Sequence, residues 1–582
     1  MSLLIHSTIP ASLIIVAIMP YQSTFPPLDI PDVDLWTLIF GQRQRDFPLT
    51  KEILISADTA RSYTWDYVRA ASADFGRGLR SSWGWKKGDV LAFYTPNSID
   101  TPILTLGTLW AGGIVSPANP LYTIDELTFQ LRDSGAKGLV TQLDYLPTAL
   151  AAAKKAGLPP NRILLLGPQR DDPSGQARHF SHLFHNPKTS PGTSHSPTPP
   201  MVPFHPRTDL AFLVYSSGTT GLPKGVGLTH HNMVSNLLQA SYVEGAQWRC
   251  RGGPDGQGDA QLAVLPFFHI FGLTCGLLMS LHEGWRLVVL EGGGKFDVER
   301  ALAAIQKHRI AFAYVPPPVV LAFAKQEAVG RYDLSSLKCL HSGAAPLTRE
   351  LTEAVWKRLK VPVKQGYGLS ETSAVVCCQT VDEWAKFMGS VGKLMPGMEA
   401  RVVDEEGKEV EDGEPGELWL KGPNVFPGYF KRPELTKDAF SPDGFFKTGD
   451  VFRRDKHGNF YCVDRLKELI KYNGYPVPPA ELEGVLLGHS EVADVCVIGV
   501  EDPDKATEVP RAYVVLREGV VAGVGKAREL EEWVAERVAP HKRLRGGVCF
   551  VAKVPKSPSG KVLRRLMREQ AKKQRRMAGS KL

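Results

Sequence analysis

Residues 210–226 constrain the fold of this chain more than any other stretch. The apolar run Leu210 to Val214 has the length and composition of a buried strand. It leads directly into Tyr215-Ser216-Ser217-Gly218-Thr219-Thr220-Gly221-Leu222-Pro223-Lys224-Gly225-Val226, where hydroxyls and glycines precede a single lysine and a second apolar step. Glycines let backbone N–H groups approach an anion, the hydroxyls add donors, and the lysine adds a point charge. A phosphate-holding loop needs all of these, whereas a surface turn needs only one or two. The loop is not of the Walker type, because Lys224 does not directly follow Gly221 and Gly225 takes the place of Ser or Thr after it.

The rest of the chain supplies a frame for such a loop. At about 150 residues per domain, 582 residues predict roughly four units, some sharing a core. Between Tyr63 and Val140 strand and helix patterns alternate: Val90 to Tyr94 reads as a strand, Ile103 to Ala111 as a helix ended by Gly112-Gly113, and Ile114 to Pro117 as the next strand. Such alternation predicts a parallel sheet with helices on its faces. Ala263 to Pro266 and Phe312 to Pro316 read as further strands.

Charge and cysteine usage exclude several classes. A net charge of +8 invites a nucleic-acid reading, but nine Lys or Arg against one Glu between Lys561 and Leu582 account for the whole excess. The remainder is neutral, so nucleic acid is not an expected partner. Eight cysteines are scattered with no CxxC pair, which disfavours a zinc site or a disulfide framework. The apolar run Leu13 to Met19 is too short to span a bilayer and has no basic residue before it, so no transmembrane segment or signal peptide is expected. Asn186 to Thr208, rich in Pro, Ser, Thr and His, reads as a linker or surface loop. Ser580-Lys581-Leu582 matches a peroxisomal address and predicts an import receptor as partner.

Four further segments carry chemistry. Gln365-Gly366-Tyr367-Gly368-Leu369-Ser370-Glu371-Thr372 offers an aromatic face between glycines, a hydroxyl and a carboxylate suited to Mg²⁺ between phosphates. Leu340-His341-Ser342-Gly343-Ala344-Ala345-Pro346 is small enough for flat contact with a planar group, and Asp450 in Lys447-Thr448-Gly449-Asp450 offers a two-oxygen acceptor. Phe267-Phe268-His269-Ile270-Phe271-Gly272 places a lone histidine among aromatics at a strand end.

Together with Val463-Asp464-Arg465-Leu466-Lys467-Glu468 and Pro555-Lys556-Ser557-Pro558-Ser559-Gly560-Lys561, these motifs resemble the adenylate-forming superfamily of acyl-CoA synthetases, 4-coumarate–CoA ligases, beetle luciferases and peptide-synthetase adenylation domains. The likeness runs from about Phe25 to Lys561. It implies an α/β fold: a large N-terminal domain of βα subdomains with a small β-barrel-like part, and a small mobile α+β C-terminal domain. The expected limits are a disordered extension at 1–24, the large domain at 25–465, the lid at 466–566 and a basic tail at 567–582.

The resemblance also implies roles. Ser216, Ser217, Gly218, Thr219, Thr220, Gly221 and Lys224 would hold ATP phosphates, and Gly343, Ala344, Ala345, Gln365, Gly366, Tyr367, Gly368 and Ser370 the adenine and α-phosphate region. Glu371 would hold Mg²⁺, Asp450 and Arg465 the ribose, and Lys561 the reacting carboxylate and phosphate. His269 would lie beside the acyl-adenylate, with Phe271, Tyr314, His341, Gly343 and Val375 around the acyl group and His341 donating to a polar point on it. Lys467 would be the hinge, and Lys471 and Gly474 would serve CoA in the second half-reaction. The implied activity is ATP-dependent acyl-CoA ligation through acyl-AMP, on an aryl, fatty or specialised-metabolite acid. Pro476 stands where 4-coumarate–CoA ligases have Gln, removing a polar contact that a hydroxycinnamate would use. A luciferase-like oxygenase, a carrier-protein-loading enzyme and a non-catalytic nucleotide scaffold are the alternatives.

Overall fold

The computed structural model describes residues 20–41, 45–168, 171–184, 202–216, 223–253, 256–292, 296–473, 475–502, 507–557 and 560–579. Expectations for Ser217 to Gly221, Gly474, Ser580-Lys581-Leu582 and most of 186–208 lie outside the described residues.

Two large sheets with parallel centres carry most of the chain. In the first, Val90–Tyr94 is flanked by Ile114–Ala118 and Ala136–Gln142, all parallel, and Leu210–Ser216 extends the sheet beside Ile114–Ala118. The Val90–Tyr94 and Ile114–Ala118 strands are buried at every residue, as strands covered on both faces must be. The second sheet runs Val363–Tyr367, Cys339–Ser342, Phe312–Val315, Ala260–Ala263 and Arg286–Val289 in parallel, with Glu52–Ser56 beyond. The strand expected at Ala263 to Pro266 ends at Ala263 instead: Pro266 and the following residues turn, and the Pro266 carbonyl accepts from His269 N.

A five-stranded antiparallel sheet forms the barrel-like part, built from Glu399–Val403, Gly416–Lys421, Phe446–Arg454, Phe460–Arg465 and the edge strand Tyr21–Gln22. Tyr21 and Gln22 fall inside the segment expected to be an extension, yet they pair with Ala400 and Glu399. The Tyr21 ring sits 6.5 Å from Phe460, and the Arg454 guanidinium lies over it, which gives this short strand a reason to dock.

After Arg465 come the elements of the C-terminal domain: helix Pro479–Leu487, the antiparallel pair Val492–Asp502 and Thr507–Leu516, helix Val524–Ala535 and strand Val548–Phe550. The boundary expected at 566 falls within a helix, Arg564–Gly579, because Met567 and Ala571 bury their side chains against Cys496, Ile498 and Tyr513. Much of the basic tail therefore begins as an amphipathic helix with one apolar stripe. Among the described residues no helix is long and apolar enough to cross a membrane.

Candidate active site

The site lies where the carboxyl ends of the second sheet meet the barrel-like sheet and the C-terminal domain. Asp450 and Arg465 face each other in cross-strand register, and the Arg465 Nε lies 3.2 Å from the Asp450 carboxylate. Tyr367, at the end of Val363–Tyr367, donates its hydroxyl to Asp450 at 2.7 Å. Three elements thus fix both oxygens of one acceptor. The Tyr367 ring packs edge-on against Phe452 at 4.6 Å, which holds the phenol in place. Gly368 is required here, because a Cβ would sit 1.4 Å from the Ala374 carbonyl oxygen.

Glu371 is buried in the short turn Ser370–Thr372, and burial pushes its carboxyl above the ordinary range. Tyr429 donates to it at 3.0 Å, and the Lys224 ammonium lies 5.1 Å from the centre of the Tyr429 ring. Strand pairing explains this meeting: Lys224–Thr229 returns antiparallel beside Leu210–Ser216, with Lys224 opposite Ser216, and Gly428–Tyr429 pairs on its other edge. A carboxylate desolvated with a neutral phenol as its side-chain donor suits a hard, oxygen-bound cation, whose charge would offset the burial. Glu371 therefore fits Mg²⁺.

His269 precedes a buried π-helix, Gly272–Leu278, a form that recurs at functional sites. Its Nδ1 accepts from Phe271 N at 3.3 Å, which leaves the proton on Nε2. Burial, reinforced by the Lys561 charge, pushes the ring down to about 4, so His269 is a neutral donor at pH 7. The Phe271 ring lies 5.7 Å from Tyr314 and 6.4 Å from His341, and Val375 is buried within the same apolar cluster.

Lys561 arrives from the C-terminal domain. The turn before it is closed by Ser557, whose carbonyl accepts from Gly560 N and whose Oγ accepts from Lys561 N. Burial pushes the ammonium down to about 8, helped by the Arg465 charge and opposed by Glu468 and Asp450. One lysine is thus within electrostatic reach of Asp450, Arg465 and His269.

Tyr367, Asp450, Arg465, Glu371, Lys561 and His269 are linked by these contacts and charges, and Lys224 is joined to them through Tyr429. Gln365 and Gly366 lie on strand Val363–Tyr367, Ser370 precedes Glu371, and Ser216 pairs opposite Lys224. Gly343, Ala344 and Ala345 follow strand Cys339–Ser342, with Ala344 in the left-handed region at φ 73°. Lys467 and Lys471 do not join them: both side chains are exposed, and the Lys471 backbone is tied to Glu508 and Thr507 of the C-terminal domain. His341 is not free to reach a ligand through Nδ1, which lies 2.9 Å from the buried Glu244 carboxylate. Tyr314 likewise spends its hydroxyl on Glu244, at 2.7 Å. Sequence reasoning missed Tyr429, whose signal was a lone Gly-Tyr pair. It also missed Glu244 and Lys364, which no motif singles out.

The model of the AMP-binding enzyme family matches residues 40–430, and that of the AMP-binding enzyme C-terminal domain matches residues 481–561. A probable 4-coumarate–CoA ligase from Dictyostelium discoideum is 35% identical, over 94% of this chain and 97% of its own. A peroxisomal OPC-8:0-CoA ligase from Arabidopsis thaliana is 35% identical over 92% of each. The ATP-bound crystal structure of MatB from Rhodopseudomonas palustris superposes with a TM-score of 0.78 at 27% identity, covering 92% of this chain and 98% of that one. With both domains matched and relatives of this similarity spanning nearly its full length, the chain belongs to the family of AMP-binding enzymes.

Proposed function

We propose that this protein activates a carboxylic acid with ATP as an acyl-AMP, releasing pyrophosphate, and then passes the acyl group to CoA. The observation that carries the reading is the meeting of Lys561, from one domain, with Asp450 and Arg465 of the other. Asp450 offers a preorganised acceptor for the two ribose hydroxyls. Arg465 and Lys561, both largely desolvated, offset charge that builds on the α-phosphate as the acid attacks. His269, neutral with its proton on Nε2, orients the acid without an ion pair. Mg²⁺ held by Glu371 would supply charge neutralisation across the phosphates, and the loop after Ser216, with Lys224, would hold the departing pyrophosphate.

The second half-reaction needs Lys561 to leave, and rotation about Lys467 would bring Lys471 and Gly474 to the CoA side. The acid is aryl, fatty or of specialised metabolism. An apolar surround of Phe271 and Val375 supports it, as do relatives named for 4-coumarate and for OPC-8:0. The named peroxisomal relative and Ser580-Lys581-Leu582 support delivery to the peroxisome by its import receptor. Pyrophosphate release from ATP and Mg²⁺, measured with phenylacetate, 4-coumarate and octanoate, with and without CoA, tests the reading. Acid-dependent release with thioester formation is expected, and ATP turnover with no acid dependence would overturn it.

A further inference from the structure

The helix Pro317–Lys325 of the large domain touches the C-terminal domain at both ends. At its start, Pro316 and Pro318 lie against Gly560, where a Cβ would come within 3.0 Å of Pro316 and 3.1 Å of Pro318. Gly560 adopts φ 83°, a left-handed conformation that favours glycine, and it directly precedes Lys561. At its end, the Lys325 ammonium donates to the Leu487 and Val492 carbonyls, each at 2.9 Å. Leu487 is the last residue of helix Pro479–Leu487, so its carbonyl belongs to the group that a helix leaves unsatisfied at its C-terminus. A cation there also meets the negative end of the helix dipole. Nine residues at 1.5 Å each set the two contacts roughly 13 Å apart on one rigid element.

A single contact leaves a domain free to pivot, and two separated contacts leave only rotation about the line that joins them. A third lies nearby: a Cβ on Gly484 of the same lid helix would meet Thr348, the cap of helix Arg349–Leu359, at 2.4 Å. Burial and the neighbouring Arg517 bring the Lys325 ammonium down to about 8, so it still carries its charge at pH 7. The ATP and acid chemistry assigns Lys325 no task.

We infer that Lys325 is a positioning residue for the first half-reaction, latching the C-terminal domain in the orientation that delivers Lys561. The inference rests on the acyl-AMP reading. Lys325 acts only through Lys561, so its loss must slow adenylation and spare the thioester step, for which the latch must open.

Lys325→Met and Lys325→Arg in the full chain test this, with phenylacetate or whichever acid of the panel exchanges best. For Lys325→Met, which removes both donations, acid-dependent ATP–pyrophosphate exchange is expected to fall at least about tenfold, the lower weight of a single hydrogen bond to a charged group. CoA thioester formation from the supplied acyl-AMP is expected to stay within about twofold or to rise, and Lys325→Arg to recover most of the exchange. Unchanged exchange, or an equal fall in both half-reactions, overturns the latch. Should Lys325→Met not fold, Lys325→Gln decides by the same two readouts. Absence of exchange in the unsubstituted protein with every acid would instead overturn the acyl-AMP reading.

Discussion

The Lys364 ammonium lies 3.2 Å from the Glu244 carboxylate, with the two side chains 0% and 4% exposed. Tyr314, His341 and Lys364 are direct neighbours on three parallel strands, and all three turn to Glu244 at the end of helix His230–Glu244. Lys364 also donates to Gln247. A pair buried this deeply gains little over apolar residues of the same shape, but breaking it strands a charge. Lys364→Met is therefore expected to destabilise the large domain by about 3–5 kcal/mol, and the Glu244→Gln/Lys364→Met double substitution to recover most of that loss. Urea unfolding followed by tryptophan fluorescence measures both.

The pH dependence of that pair has a defined sign. Lys364 and His341 hold Glu244 well below the ordinary carboxylate range despite its burial, and Glu244 holds Lys364 above the ordinary lysine value. The carboxylate's contribution is complete above the unfolded carboxylate pKa and falls away as the pH drops toward its depressed folded value. The lysine's is complete below the unfolded lysine pKa and is lost as the pH rises toward its raised one. Stability differences between the unsubstituted protein and the double variant should thus stay flat from about pH 5 to 9 and narrow outside that window.

His341→Ala tests whether this row shapes acid choice. The ring is buried between Tyr314 and Phe271, with Nδ1 committed to Glu244, so its loss opens space rather than removing a free donor. Bulkier aryl acids should gain relative to phenylacetate in kcat/KM. An order of acids unchanged across a panel would remove His341 from the acyl surround.

Asp450→Asn keeps the shape of the acceptor and removes its charge. Arg465 then loses the carboxylate at 3.2 Å, and Tyr367 an anionic acceptor at 2.7 Å. Charge-assisted hydrogen bonds are worth about 1.5–3 kcal/mol, so ATP–pyrophosphate exchange should fall about 10- to 100-fold, with KM for ATP rising. Exchange within twofold of the unsubstituted protein would detach Asp450 from nucleotide binding.

Lys561 is expected to set the upper limb of the pH profile. Its ammonium, held down to about 8, carries charge below that pH and loses it above. Acid-dependent exchange should therefore decline as the pH passes about 8, and Lys561→Arg should shift the decline upward. Lys561→Ala should abolish exchange and spare thioester formation from supplied acyl-AMP.

Much of this arrangement was legible because local chemistry and register coincide. The run Leu210 to Val214, the strand Val90–Tyr94 and the carboxylate of Asp450 each announce themselves by residue type within a few positions. Pairings between distant segments were not legible. Lys364 alternates with Val363 and Gln365, a pattern that places it on the opposite face, but both faces of that strand are covered. Lys325 sits at a helix end where lysine is common, and only the docking of another domain gives it partners. The charges of the basic tail hide a two-residue apolar stripe, Met567 and Ala571, and only its docking on Cys496, Ile498 and Tyr513 reveals it.

Tyr429 joins Lys224 to Glu371, the residues proposed to face phosphate and cation. Its hydroxyl donates to Glu371, its ring lies near the Lys224 ammonium, and its backbone pairs with Val226 beyond the phosphate loop. Tyr429→Phe keeps the ring and the strand pairing and removes one donor. Burial already raises the Glu371 carboxyl, and without the phenol it rises further, so the charged form that would hold Mg²⁺ becomes costlier. The Mg²⁺ concentration for half-maximal exchange is expected to increase severalfold, most steeply below pH 6, with saturating Mg²⁺ restoring the rate. Tyr429→Ala, which also removes the ring beside Lys224, should lower exchange even at saturating Mg²⁺. An unshifted Mg²⁺ dependence in Tyr429→Phe would mean that Glu371 does not rely on this phenol and that the link runs through the ring alone.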